Sequence, residues 1–186
     1  GLHGITRLYR DYREMLAEEQ LDLISVCTSN DMHHPVTMAA IARGLDVFCE
    51  KPLALNLAQA REMAAAAEAH GTRTGVNFSH RRTPASRLAK EIIASGVLGP
   101  IHQFVAIYAA GGTSYAARPA TWRNDRALAG YGGMGDMGSQ ILDMIDWWLG
   151  EDPVAVTART RTIVPERADR DGSLPVRVTT EDQGQL

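Results

Sequence analysis

Two stretches decide the fold: Leu21-Asp22-Leu23-Ile24-Ser25-Val26-Cys27-Thr28-Ser29-Asn30 and Leu45-Asp46-Val47-Phe48-Cys49-Glu50-Lys51-Pro52. Each is a short apolar run that ends abruptly, the first in a hydroxyl and amide cluster, the second in Glu-Lys-Pro. Short apolar runs bounded by turn residues read as buried strands. Between them Val36, Ala39, Ala40 and Arg43 follow helical spacing, with Pro35 as the expected first residue and Gly44 as the stop. Upstream, Tyr12, Met15 and Leu16 lie on one face of a helix over Tyr9 to Glu19. Downstream, Asn56 caps an Ala-rich helix from Leu57 to His70, Gly71 closes it, and Thr72 to Phe78 is a third strand. Strand and helix alternating with short connections imply parallel strands joined by right-handed crossovers. The runs lack clean alternation, which predicts helices on both sheet faces. Residues 1–80 thus read as an α/β layer structure.

The rhythm changes after residue 80. An amphipathic helix is expected from Pro84 to Ser95, stopped by Gly96 and Gly99-Pro100. Ile101 to Ala109 reads as a strand, Gly111 to Gly135 as a Gly-rich connection, and Met137 to Leu149 as a helix ending at Gly150. Val154 to Ile163 and the residues from Val176 onward alternate apolar and polar side chains, as in antiparallel strands with one wet face. Residues 81–186 therefore read as the first part of an α+β domain with an open, mainly antiparallel sheet.

Composition narrows the function classes. Nineteen Lys and Arg oppose 22 Asp and Glu, a net charge of −3, and 45% of the 186 residues are hydrophobic. A mildly acidic chain without a stripe of Lys and Arg has no means of neutralising phosphates, so no nucleic-acid partner is expected. No run reaches the ~18 apolar residues of a membrane helix, and no membrane partner is expected. Cys27 and Cys49 each end an apolar run, which fits buried, reduced thiols in a reducing, cytoplasmic compartment and excludes a disulfide scaffold or a Cys-based zinc site. The chain begins with Gly1 and ends in strand-like sequence, so it is expected to be part of a longer protein.

Several residues can carry chemistry. Thr28, Ser29, Asn30 and His33 fall at the carboxyl end of a parallel strand, where open α/β sheets bind ligands. They can contact a ribose or phosphate, or simply cap the next helix. Lys51, also at a strand end, can place positive charge against a ligand oxygen; a plain surface lysine is the alternative. His33-His34 diverge and find no further ligands, so no metal site is expected. Asp136 and Gln140 lie four apart and are expected on one helix face, with Asp143 and Asp146 roughly continuing it; that stripe suits a pocket wall or a solvated face. Gly130-Tyr131-Gly132-Gly133-Met134-Gly135 matches G-x-G-x-x-G, but no apolar strand precedes it, so it reads as a flexible loop and not a pyrophosphate cradle.

In order and spacing these segments resemble the Gfo/Idh/MocA family of NAD(P)-dependent oxidoreductases. The resemblance is carried by Cys27-Thr28-Ser29-Asn30 with His33, by Cys49-Glu50-Lys51-Pro52-Leu53-Ala54, and by Arg82-Thr83-Pro84-Ala85. It continues through Gly96-Val97-Leu98-Gly99, Trp122-Arg123, Gly132-Gly133-Met134-Gly135-Asp136-Met137-Gly138-Ser139 and Asp146-Trp147-Trp148-Leu149-Gly150. It implies a partial Rossmann domain over 1–80 and part of a substrate and oligomerisation domain over 81–186. It also implies NAD or NADP as cofactor, with Thr28, Asn30, His33, Glu50, Lys51, Trp122 and Arg123 on the cofactor side. Lys51 would bond the reacting substrate oxygen and Asp136 would position the substrate. Assembly into a homo-oligomer through the open sheet follows from the same resemblance.

The chain departs from the family pattern twice. Gln140 stands where the family has its general acid/base histidine, and an amide can orient a hydroxyl but cannot take its proton. The glycine fingerprint is missing; in the family it lies about two βα units, roughly 60 residues, before the Cys-Thr-Ser-Asn strand. The expected activity is hydride transfer between NAD(P) and a hydroxyl or carbonyl carbon of a sugar, cyclitol or related polyol. The Gln140 exchange also admits a non-catalytic NAD(P)- or sugar-binding protein, or a relative that uses NAD during glycoside cleavage.

Overall fold

The computed structural model describes residues 4–109, 116–172 and 174–186. Helix α1 (Tyr12–Glu18) leads into β1 (Leu23–Val26), α2 (Asn30–Ile41), β2 (Asp46–Cys49), α3 (Leu57–His70) and β3 (Thr74–Val76). The three strands form one parallel sheet in the order β1-β2-β3, with Leu23 opposite Asp46, Val26 opposite Cys49, and Cys49 opposite Val76. Ile24, Val26, Val47 and Cys49 point to one face and pack on Leu16, Val36, Ala40, Ile41 and Ala67. This cluster fixes the strand ends from which Thr28 and Lys51 project.

Two local readings change here. Helix α2 starts at Asn30, and Pro35 lies inside it. Proline at that point forfeits one ladder bond and crowds the preceding turn. The burial of His33, Val36, Thr37, Ala40 and Ile41 along the same helix outweighs that loss. Its end is as expected: Gly44, at φ +75°, donates to Ile41 O at 2.8 Å. Among the described residues, in contrast, the helices that pack on the sheet lie on one face. β1 alternates exposed and buried residues, leaving Leu23 54% exposed. Because α1, α2 and α3 supply the packing on one side, Cys27 falls on the open side and is exposed; of the two cysteines only Cys49 is buried.

In the second half, α4 (Pro84–Ala94) is capped by Thr83, whose Oγ1 accepts from Ser86 N. Two short helical turns follow, Trp122–Asn124 and α5 (Arg126–Ala129), and then a π turn, Met134–Gly138, that runs directly into α6 (Ser139–Leu149). β4 (Arg159–Arg161) pairs antiparallel with β7 (Gln183–Gln185), and β5 (Glu166–Ala168) with β6 (Pro175–Arg177). The strand expected over Ile101 to Ala109 is absent. Its apolar residues have the composition of a strand, but a strand exists only as a ladder, and among the described residues none pairs with it. Part of the Gly-rich connection, 110–115, lies outside the described residues.

Candidate active site

A cavity of about 170 Å³ opens where the carboxyl ends of β1 and β2 meet the loops of the second half. Thr28, Asn30, His33, Glu50 and Lys51 form one wall, and Trp122, Arg123, Tyr131 and Asp136 another. Segment Val178–Asp182, between β6 and β7, contributes Thr180, Glu181 and Asp182. The volume is below the ~300 Å³ at which pockets for drug-sized ligands begin, so the cavity admits a ring-sized group.

Lys51 is the joint between the walls. Its Nζ donates to the backbone oxygen of Asp136 at 2.8 Å and to Asp136 Oδ1, although 85 residues separate them. The lysine side chain is only 14% exposed and the aspartate 38%. Asp136 therefore meets water on the cavity side while holding the ammonium.

The other strand-end residues hold the turns in place. His33 is fully buried; Nδ1 lies 2.8 Å from Pro52 O and Nε2 lies 3.3 Å from Thr28 O. A neutral imidazole has one N–H, and the shorter contact makes Nδ1–H the better donor. Through Nδ1–H, His33 thus fastens the first turns of α2 to the Lys51-Pro52 turn, whose peptide bond is cis. Asn30 Nδ2 donates to Ala129 O at 2.8 Å and links α2 to α5. Glu50 Oε1 accepts from Asn77 Nδ2 at 2.6 Å. Thr28 is exposed, with its hydroxyl donating to Ser29 O at 3.1 Å. The Arg123 guanidinium sits 4.3 Å from the Trp122 ring centroid.

Gln140 is placed apart from these groups. It is 6% exposed, does not line the cavity, and its Oε1 has no hydrogen-bond partner among the described residues. The expectation that Asp136 and Gln140 share a face assumed α-helical spacing throughout. The wider i→i+5 turn at Met134–Gly138 breaks that spacing between them. Asp143, further along α6, turns to Arg81: Nε donates to Oδ2 at 2.6 Å and Nη2 to Oδ1 at 2.5 Å.

Sequence reasoning missed Glu181. Its Oε1 accepts from the Gly132 amide at 2.7 Å and the Met134 amide at 3.2 Å, and its backbone oxygen accepts from Gly133 N at 2.8 Å. The glycine run is accordingly a pinned turn and not a flexible loop. The amides that a phosphate would need already face a carboxylate of the same chain. No spacing rule could reveal a partner 49 residues away.

Two family profiles match the chain. One, described as an oxidoreductase family with an NAD-binding Rossmann fold, covers residues 3–78; the other, the GFO/IDH/MocA C-terminal domain, covers residues 86–186. The chain belongs to the Gfo/Idh/MocA family. It is 32% identical to levoglucosan dehydrogenase of Pseudarthrobacter phenanthrenivorans over 169 residues, covering 91% of this chain and 43% of that protein. It is 34% identical to 1,5-anhydro-D-fructose reductase of Ensifer adhaerens over 159 residues, 84% of this chain and 46% of that one. Among solved structures, an oxidoreductase domain protein from Kribbella flavida superposes with TM-score 0.82 at 34% identity, over 94% of this chain and 46% of the other. Levoglucosan dehydrogenase in complex with NADH and levoglucosan gives 0.81 at 28% identity, over 95% and 46%. The chain spans about half the length of the relatives it matches. Among the described residues no helix is long and apolar enough to cross a membrane.

Proposed function

We propose that this Gfo/Idh/MocA chain carries the reacting side of an NAD(P)-dependent oxidoreductase acting on a CH–OH carbon of a sugar, cyclitol or related polyol. The observation that carries the proposal is the Lys51–Asp136 contact across a ring-sized cavity at the strand ends. An ammonium has three N–H groups. Asp136 accepts two of them, which leaves one for a substrate oxygen. Donation from Lys51 stabilises the negative charge that develops on that oxygen as its C–H bond breaks. Asp136 is the carboxylate placed to take the hydroxyl proton, directly or through Lys51. Gln140, an amide outside the cavity, takes no part in that proton transfer.

The residues fit the nicotinamide end of the cofactor, since the cavity holds a ring-sized group and Thr28 offers an exposed hydroxyl beside Lys51. Bound there, NAD(P) supplies the acceptor for the hydride. Thr28, Glu50, Trp122 and Arg123 are the residues to hold it, while His33 and Asn30 keep the walls in register. The same reading takes in a cytoplasmic protein that binds no nucleic acid and forms a homo-oligomer through its open antiparallel sheet.

Replacing Lys51 by Ala in the protein that carries this chain tests the proposal. Turnover on a panel of sugars and anhydrosugars is expected to fall about 10²-fold or more, the scale of a positioned proton-transfer group. NADH affinity, read by fluorescence titration, should stay within about threefold, a change below ~0.7 kcal/mol. An unchanged turnover number would refute the role given to Lys51.

A further inference from the structure

Glu181 is buried, yet nothing in the reaction above uses it. Its carboxylate stands where a glycine-rich turn presents its amides. Gly132 N–H and Met134 N–H both point at Oε1, and the backbone oxygen of the same residue receives Gly133 N–H. A Cβ at Gly132 would overlap the Glu181 backbone, so the close approach demands glycine at that position. Arg126 Nη2 lies 3.7 Å from Oε2 and supplies the opposing charge. The turn so held leads directly to the active-site aspartate. Gly132 O accepts from Asp136 N at 3.0 Å, and Asp136 presents its backbone oxygen and Oδ1 to Lys51.

We infer that Glu181 is a positioning residue: an internal carboxylate that occupies the amide nest of the glycine run and thereby sets where Asp136 meets Lys51. Its effect reaches the reaction through backbone geometry and not through contact with the reacting atoms. The proposal rests on the oxidoreductase reading for its kinetic consequence only; the placement of Lys51 can be read without it.

The sequence offers a direct probe, because Lys51 and Lys90 are its two lysines. Lys90 Nζ donates to Trp147 O at 2.8 Å and lies 4.5 Å from the Trp147 ring centroid, well separated in sequence from the glycine run. Wild-type protein and the variants Glu181→Ala, Glu181→Asp and Glu181→Gln are labelled briefly with acetic anhydride, and acetylation of the two lysine peptides is quantified by mass spectrometry. In Glu181→Ala and Glu181→Asp, Lys51 labelling is expected to rise about fivefold or more relative to Lys90, as expected for a contact weakened by ~1 kcal/mol. Glu181→Gln keeps a carbonyl oxygen for the two amides and should bring the ratio back toward wild type. In the kinetic arm, kcat of Glu181→Ala falls by up to about 10²-fold, as for a misplacement of roughly 1 Å, while KM for NAD(P) stays within about threefold.

If Glu181→Ala unfolds, both lysines label together, and the shortened Glu181→Asp decides. An unchanged Lys51 to Lys90 ratio in the folded variants overturns the inference. If the wild-type protein oxidises no polyol but the ratio shifts, the oxidoreductase reading fails while the positioning role stands.

Discussion

Removing Arg81 and removing Asp143 break the same ion pair, yet they should cost different amounts. The Asp143 side chain is 9% exposed and receives both the Nε and Nη2 hydrogen bonds of Arg81. Arg81→Ala leaves that carboxylate buried without these donors. Breaking a fully buried pair costs about 3–5 kcal/mol. Arg81 is 35% exposed, so water can follow into the vacated space, and the figure falls to about 2 kcal/mol. Asp143→Ala leaves a guanidinium that already meets water, lies 3.6 Å from Asp146 Oδ2, and stands 5.8 Å from the Trp147 ring centroid. That loss should be about 1 kcal/mol, a net loss typical of a hydrogen-bonded contact. With a urea slope of about 2 kcal/mol per molar, the midpoints drop by roughly 1 M and 0.5 M. The double variant should lie near Asp143→Ala, a coupling of about 2 kcal/mol, because removing the carboxylate also removes the burial penalty. Urea denaturation of all four proteins, followed by circular dichroism with slopes compared, gives the cycle. Equal midpoints for the single variants, or additive losses in the double, would refute the claim that Asp143 burial sets the cost.

Two further predictions address other groups. Burial pushes the Cys49 thiol up to about 11, whereas Cys27 is exposed at the cavity. At pH 8 iodoacetamide should alkylate Cys27 alone in the native protein, and both cysteines in urea; NADH should slow the Cys27 reaction if the cavity takes the cofactor. Asp46 accepts from Arg73 N at 2.8 Å and Arg73 Nε at 2.7 Å, and these hydrogen bonds hold its carboxyl below the ordinary value. A depressed folded value means the stabilisation is complete above the unfolded value and lost as pH falls through the folded one. The urea-midpoint deficit of Asp46→Asn should accordingly be full at pH 7 and shrink below about pH 4; a pH-independent deficit excludes this linkage.

What the sequence revealed depended on how local each cause was. The boundaries of α3 were legible because Asn56 caps it and Gly71, at φ +66°, closes it, both within one turn of the helix. The start of α2 was not, because Pro35 is a local signal and the burial that overrides it is tertiary. Lys51 and Asp136 were legible as candidates at the right ends of their elements. Their contact across 85 residues was not. Gln140 was misplaced because a π turn cannot be read from a polar stripe that assumes 3.6 residues per turn. Glu181 stayed hidden because its partners are backbone amides, which carry no sequence signature.

The two walls of the cavity are held by different forces, and this bears on how the site works. Lys51 projects from a sheet whose apolar cluster runs from Leu16 to Ala67. Dispersion and burial make that wall dense and hard to deform. Asp136 belongs to a segment tied to the first wall by directional contacts: Asn30 with Ala129 and Lys51 with Asp136. Each such contact is worth about 0.5–1.5 kcal/mol net. They can be exchanged for contacts with a ligand without disturbing the sheet. The Lys51–Asp136 contact joins the two walls, so the ammonium is held by its strand end on one side and by Asp136 on the other. The rigid wall sets the position of the charge, and the polar joint, through Glu181 and the glycine turn, sets its partner.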